Sequence, residues 1–177
     1  MKRVLLLFVC VVALASVSCG YALAGRGNSL PSSIVKVGIP PFVNQSTTPD
    51  IDRVLTTAVT QEWQGKGKYR VQPDAAGADA VLKGTILSVG LVPLAFTANQ
   101  QVSKYSIVVT ASIEFRETAT DKVLWANPSF QARDDYDVAG GVTATDVSAI
   151  FTQNQNALDR IAKAFARTVV TSIFEAF

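Results

Sequence analysis

Apolar residues recur along this chain with two different periods. From Tyr105 to Arg116 they alternate: Tyr105, Ile107, Val109, Ala111, Ile113 and Phe115 point one way. Ser106, Thr110, Ser112, Glu114 and Arg116 point the other, with only Val108 apolar among them. A period of two with one apolar face predicts a strand that is buried on one side and wet on the other. Shorter β-branched runs predict further strands at Ile34–Ile39, ended by Pro40-Pro41, and at Tyr69–Val71. Ala78–Leu91 reads as another strand, where Gly84 and Gly90 predict a bulge or close packing. The turn Thr118–Asp121 leads into a hairpin partner at Lys122–Trp125. Pro128 interrupts that strand before it resumes over Phe130–Tyr136, which places it at a sheet edge.

Two segments follow the helical period instead. Ile51, Val54, Leu55, Ala58, Val59 and Trp63 share a stripe that only Glu62 interrupts. Thr48 suits the N-cap and Pro49 the first helical position, and Gly65 and Gly67 suit the stop. Phe42–Thr47 reads as a polar turn before this helix. The second helix runs from about Thr152, with Leu158, Ile161, Phe165, Val169 and Ile173 as its stripe and Ala162, Ala166 and Val170 beside it. The order is β-α-β-β-β-β-α. Two amphipathic helices both need a sheet face to cover. The expected fold is therefore α+β: a two-layer sandwich with both helices on one face of a mostly antiparallel sheet.

The first residues are of another kind. Lys2 and Arg3 precede an unbroken apolar run from Val4 to Ala15. A spanning helix needs about 20 such residues, so this run fits the core of a secretory leader. Ala15, Ser16, Val17 and Ser18 are small, and Cys19-Gly20 follows. A Cys in this position resembles a bacterial lipoprotein signal, in which the thiol is lipidated and the Cys becomes the first mature residue. Ser16 stands where such signals usually carry Leu. Gly20 stands where Asp resembles an inner-membrane retention signal, so the signal resembles one for the outer membrane. This reading gives residues 1–18 as a leader, 19–33 as a lipidated, Gly- and Ser-rich tether, and 34–177 as a single domain.

Composition narrows the chemistry. Sixteen basic against fourteen acidic residues leave +2 over 177 residues, far from the strongly basic balance of a nucleic-acid binder. Lys2 and Arg3 depart with the leader, so sixteen basic residues become fourteen and the mature chain is neutral. Any attraction to an anion must then come from a local patch. The chain has no His, which removes His-ligated zinc and Ser-His or Cys-His nucleophile pairs. Its two cysteines, Cys10 and Cys19, both lie in the first residues and cannot staple the rest. No P-loop, dinucleotide fingerprint, nucleophile elbow or metal-ligand spacing occurs. Asp134, Asp135 and Asp137 lack the Gly-bearing loop and further oxygen ligands of a calcium site, and read as a solvated strand end. Glu62 at the rim of its stripe reads as a residue that reaches water. The expectation is a non-enzyme without metal or cofactor.

Several phrases, in their order along the chain, resemble a known family. Cys19-Gly20-Tyr21-Ala22-Leu23 is followed by Ile39-Pro40-Pro41-Phe42-Val43-Asn44 and Leu55-Thr56-Thr57-Ala58-Val59. Ala78-Asp79-Ala80-Val81-Leu82-Lys83-Gly84-Thr85-Ile86, Lys122-Val123-Leu124-Trp125-Ala126-Asn127-Pro128 and the Ala-rich final helix complete the set. Together they resemble LptE, the lipopolysaccharide-assembly lipoproteins of Gram-negative outer membranes. The resemblance implies helices on one face of a four-stranded sheet. It implies a non-catalytic plug inside the LptD β-barrel that supports assembly of that barrel and insertion of lipopolysaccharide into the outer leaflet. The implied partners are LptD, lipopolysaccharide and the outer membrane, and no nucleic acid. The family is also associated with lipopolysaccharide binding through basic loop residues at one end of the sheet. Antiparallel pairing puts residues 97–104 and 137–147 at one tip. That makes Lys104 and Arg133 the cations for a lipid phosphate, and Asn99, Gln100 and Gln101 polar contacts to lipid or barrel wall. The 137–147 loop departs from the basic pattern, with Asp137 and Asp146 and no Lys or Arg. A second reading stays open: a periplasmic lipoprotein that regulates a cell-wall synthase or a secretion pore by protein–protein contact.

Overall fold

The computed structural model describes residues 30–137, 151 and 155–177. The expected leader, Cys19, most of the expected tether and most residues between Asp137 and Gln155, including the expected start of the second helix, lie outside the described residues. The elements are β1 (Lys36–Gly38), β2 (Val43–Asn44), α1 (Ile51–Gln64), β3 (Arg70–Gln72), β4 (Ala80–Phe96), β5 (Val102–Glu117), β6 (Val123–Asp137) and α2 (Gln155–Glu175). The sheet is open and mixed, in the order β3-β1-β4-β5-β6, with β2 beside β4. β1 runs parallel to β3 and β4, and β2 runs parallel to β4. The long pairings, β4 with β5 and β5 with β6, are antiparallel. This is the expected α+β layout, with six strands where the family resemblance implied four.

The alternating strand buries the face that its pattern selects. Tyr105, Ile107, Val109, Ala111, Ile113 and Phe115 are all buried in β5. They meet the stripes of the two helices in one core. Ile51, Leu55, Val59 and Trp63 come from α1, and Ile161, Phe165, Val169 and Ile173 from α2. α2 is also held across the edge strand. Arg160 donates to Asp134 Oδ2 from Nε at 2.9 Å and from Nη2 at 2.7 Å.

The expected details differ in four places. Phe42–Thr47 is not only a turn: Val43–Asn44 pairs with Thr85–Ile86, because the apolar Phe42 ring is pulled into the core. That ring lies where a Cβ on Gly84 would come within 2.8 Å of it, so Gly84 serves close packing. The first helix starts at Ile51 and not at Pro49. Its N-cap is Asp50, at φ 58, with no side-chain cap. Asn44 Nδ2 instead ties down the Thr48 carbonyl at 2.8 Å, and the left-handed turn at Asp50 swings Ile51 into the core. β4 continues past Leu91 to Phe96, and β5 begins at Val102. β6 runs through Pro128, whose missing donor is absorbed by a register shift opposite Ser112 on the sheet's edge strand.

Asp79 anchors β1 from the side. Its Oδ2 accepts the N–H of Val35 at 2.9 Å and of Lys36 at 2.8 Å. These backbone donors hold its carboxyl below the usual 3.8. A lowered folded value contributes stability that is complete above the unfolded pKa and is lost as pH falls through the folded one. The melting temperature is therefore expected to fall below about pH 4. Asp79→Asn should be less stable at neutral pH and should flatten that acid limb. An unchanged acid limb in a thermal-melt series would refute this role.

Candidate functional site

β4 and β5 form a long arm. On its outer side β4 pairs with β1 at Ala80 and Val81, and with β2 at Thr85 and Ile86. Beyond Ile86 no described strand pairs with that side, so β4 has an open edge over Leu87–Phe96. The turn at the tip is closed by its own backbone: Thr97 N–H donates to the Gln101 carbonyl at 2.7 Å, and Gln100 N–H to the Thr97 carbonyl at 3.0 Å. Gln100 takes φ 60 to complete it. Asn99, Gln100 and Gln101 are all exposed there.

Lys104 and Arg133 share the face of the sheet that no described helix covers. In register Lys104 lies opposite Asp137, Ser106 opposite Asp135, and Val108 opposite Arg133. Lys104 is thus at the tip with the three amides, while Arg133 lies four residues back along β6, roughly 13 Å at the usual strand rise. Asp135 sits between them. Its Oδ2 is 3.5 Å from Lys104 Nζ. The Arg133 guanidinium donates to Gln131 Oε1 at 3.0 Å. The arrangement brings four of the five expected residues together, yet it does not concentrate positive charge. The tip is an amide-rich surface with one cation balanced by carboxylates, suited to neutral polar contacts.

Other candidate groups are occupied by structural roles. The strand alternation splits the acidic cluster: Asp134 turns to Arg160 and Asp135 to Lys104. Among the described residues no group of three or more Asp, Glu, Cys or His is placed to hold a metal. Glu62 Oε1 pairs with Lys66 Nζ at 3.3 Å. At the inner end of the same helix-free face, Arg116 Nε donates to Glu114 Oε1 at 2.8 Å. That bond holds the Glu114 carboxyl below its usual value and the Arg116 guanidinium above its own.

One surface escaped the sequence reading. The open edge of β4 exposes Leu87, Val92, Leu94 and Phe96, the last by 61%. The signal was present as an absence: no Asp, Glu, Lys or Arg occurs from Gly84 to Ser103. Pro93 concealed it, because a proline in a run argues for its end.

Comparison with known proteins sets this geometry in context. The family model LptE, described as lipopolysaccharide-assembly, matches residues 34–173. No curated protein matches significantly. Among solved structures, the PelC dodecamer from Paraburkholderia phytofirmans is similar at 17% identity and a TM-score of 0.51, covering 84% of this chain and 94% of that one. Rare lipoprotein B from Shewanella oneidensis is similar at 14% identity and 0.45, over 77% and 95%. A lipoprotein from Neisseria meningitidis is similar at 20% identity and 0.43, over 69% and 99%. The PelC likeness is one of fold. Among the described residues no helix is long and apolar enough to cross a membrane.

Proposed function

The chain belongs to the LptE lipopolysaccharide-assembly family, and from that membership we propose that it is a lipid-anchored, non-catalytic subunit that plugs the LptD β-barrel, supports its assembly and assists insertion of lipopolysaccharide into the outer leaflet. The observation that carries the reading is the family match over residues 34–173, which takes in every described element from β1 into α2. The leader and Cys19 support a tether to the outer membrane. The acyl chains contribute about 0.8 kcal/mol per buried CH₂, and several of them hold a domain stably at a surface. The amide tip supports contact with a polar wall or sugar: Asn99, Gln100 and Gln101 offer donors and acceptors without a charge to desolvate. Lys104 offers one cation for a lipid phosphate, in competition with Asp135.

The test is a mild-detergent pull-down of the tagged full-length protein from its native membranes, with mass spectrometry of what co-purifies. A large β-barrel near one-to-one is expected. Recovery with a cell-wall synthase or a secretion pore, and no barrel, would overturn the proposal in favour of the second reading. Cys19→Ser is expected to abolish acyl labelling, and persistent labelling would refute the anchor.

A further inference from the structure

Natural sheets blunt their free edges with charge, proline or cover. The edges of this sheet are treated unequally. β6 carries Pro128 in its middle and Arg133, Asp134, Asp135 and Asp137 towards its end, and the three-residue β3 carries Arg70. The β4 edge is open over Leu87–Phe96 among the described residues, and it carries no charge. Its defences are Pro93, a register shift at Leu87 and two more near the tip. Leu87 is 37% exposed, and Val92 and Leu94 are each 48% exposed. An unpaired row of backbone donors and acceptors flanked by such side chains is a template for another strand.

We infer that this edge is a self-association surface, on which β4 of a second copy pairs antiparallel about a two-fold axis near Val92. Three features select a second copy as the occupant. A strand bearing Lys or Glu would have to desolvate charge against Val92 and Leu94, whereas this segment is uncharged from Gly84 to Ser103. The open stretch is bounded by β2 at one end and the 97–101 turn at the other. Antiparallel pairing about a two-fold axis therefore uses the whole stretch, roughly 33 Å at the usual strand rise, and stops each turn where the other copy's β2 begins. At that junction polar meets polar: the exposed Asn99, Gln100 and Gln101 of one copy arrive beside the exposed Gln45 of the other. The two arms, with β6 of each copy, merge into one six-stranded antiparallel sheet. A two-fold interface closes on itself, so association ends at the dimer. Pro93 removes at most one donor from the ladder.

The inference goes beyond the proposed function and is tested without any barrel. Light scattering of the purified full-length protein in nonionic detergent should report a dimer. In a Cys10→Ala, Cys19→Ala background, Val92→Cys should crosslink to itself through a short thiol reagent. Phe96→Cys should not, since four residues from the axis its two copies stand roughly 26 Å apart. Val92→Lys, at an exposed position, should keep its circular dichroism and weaken the dimer by at least about tenfold, as desolvating a charge demands. A monomer at micromolar concentration, equal crosslinking at both positions, or a Val92→Lys protein as dimeric as the parent would each overturn the proposal.

Discussion

Replacing Phe165 with alanine is expected to cost the fold about 3–5 kcal/mol, the range for removing a fully buried Phe or Trp. Phe165 lies at the middle of α2 and is 0% exposed. Its ring stands edge-on to Phe130 of β6 at 5.4 Å and 88°, and to Phe42 at 6.4 Å and 67°. Such edge-to-face pairs add about 0.5–1.5 kcal/mol each beyond the area they bury. Phe42 in turn lies against Gly84 of β4. One side chain therefore joins α2 to the edge strand and to the segment that feeds β2. Alanine leaves a cavity that three separate elements must close at once, which argues for the upper part of the range. Urea denaturation of the variant measures this directly. A loss below about 1 kcal/mol would mean that α2 does not cover the sheet. Phe177→Ala serves as the control: that ring is 37% exposed beyond the end of α2, and its loss should fall within about 0.5 kcal/mol.

The parts of this fold that were legible in the sequence are those where one periodicity acts over many residues. The two helical stripes and the alternation of β5 each fix which face is buried, and the core is assembled from those faces. The short parallel strands were legible as β-branched runs, but the two residues of β2 were not. No pattern can be read from Val43-Asn44, and what makes them a strand is the distant contact between Phe42 and Gly84. The helix start was misplaced for a similar reason. Thr48 and Pro49 are a good local cap, yet the Asn44 amide holds the Thr48 carbonyl and the helix begins after the turn at Asp50. At the tip, hairpin logic placed Asn99, Gln100, Gln101 and Lys104 correctly. It could not foresee that Asp135 would face Lys104, because the facing residue depends on a register set by the bulges of β5 and β6. Basic residues chosen for their charge thus turned out to be partly balanced, and the more distinctive surface is one defined by lacking charge.

Trp63 provides the second large effect and separates shape from polarity within the same core. It occupies the last turn of α1 and is 0% exposed. Its ring lies 5.3 Å from Phe115 of β5 and 5.5 Å from Phe174 of α2. Phe174 continues to Tyr69 at 5.6 Å, whose hydroxyl accepts the Leu30 N–H at 3.1 Å. The indole thus sits where both helices, the sheet and the segment leading into β1 converge. Trp63→Ala should cost about 3–5 kcal/mol. The indole Nε1, however, is buried and finds no acceptor among the described residues. Burying a donor without a partner carries a penalty of about 1–3 kcal/mol, which the native fold already bears. Trp63→Phe removes that donor and keeps a ring between Phe115 and Phe174, so part of the cavity cost is offset. The phenylalanine variant is therefore expected to lose less than half as much stability as the alanine variant in the same urea titration. If the two lose equal stability, the indole N–H is hydrogen-bonded in solution, and its place in the core is set by polarity as well as by shape.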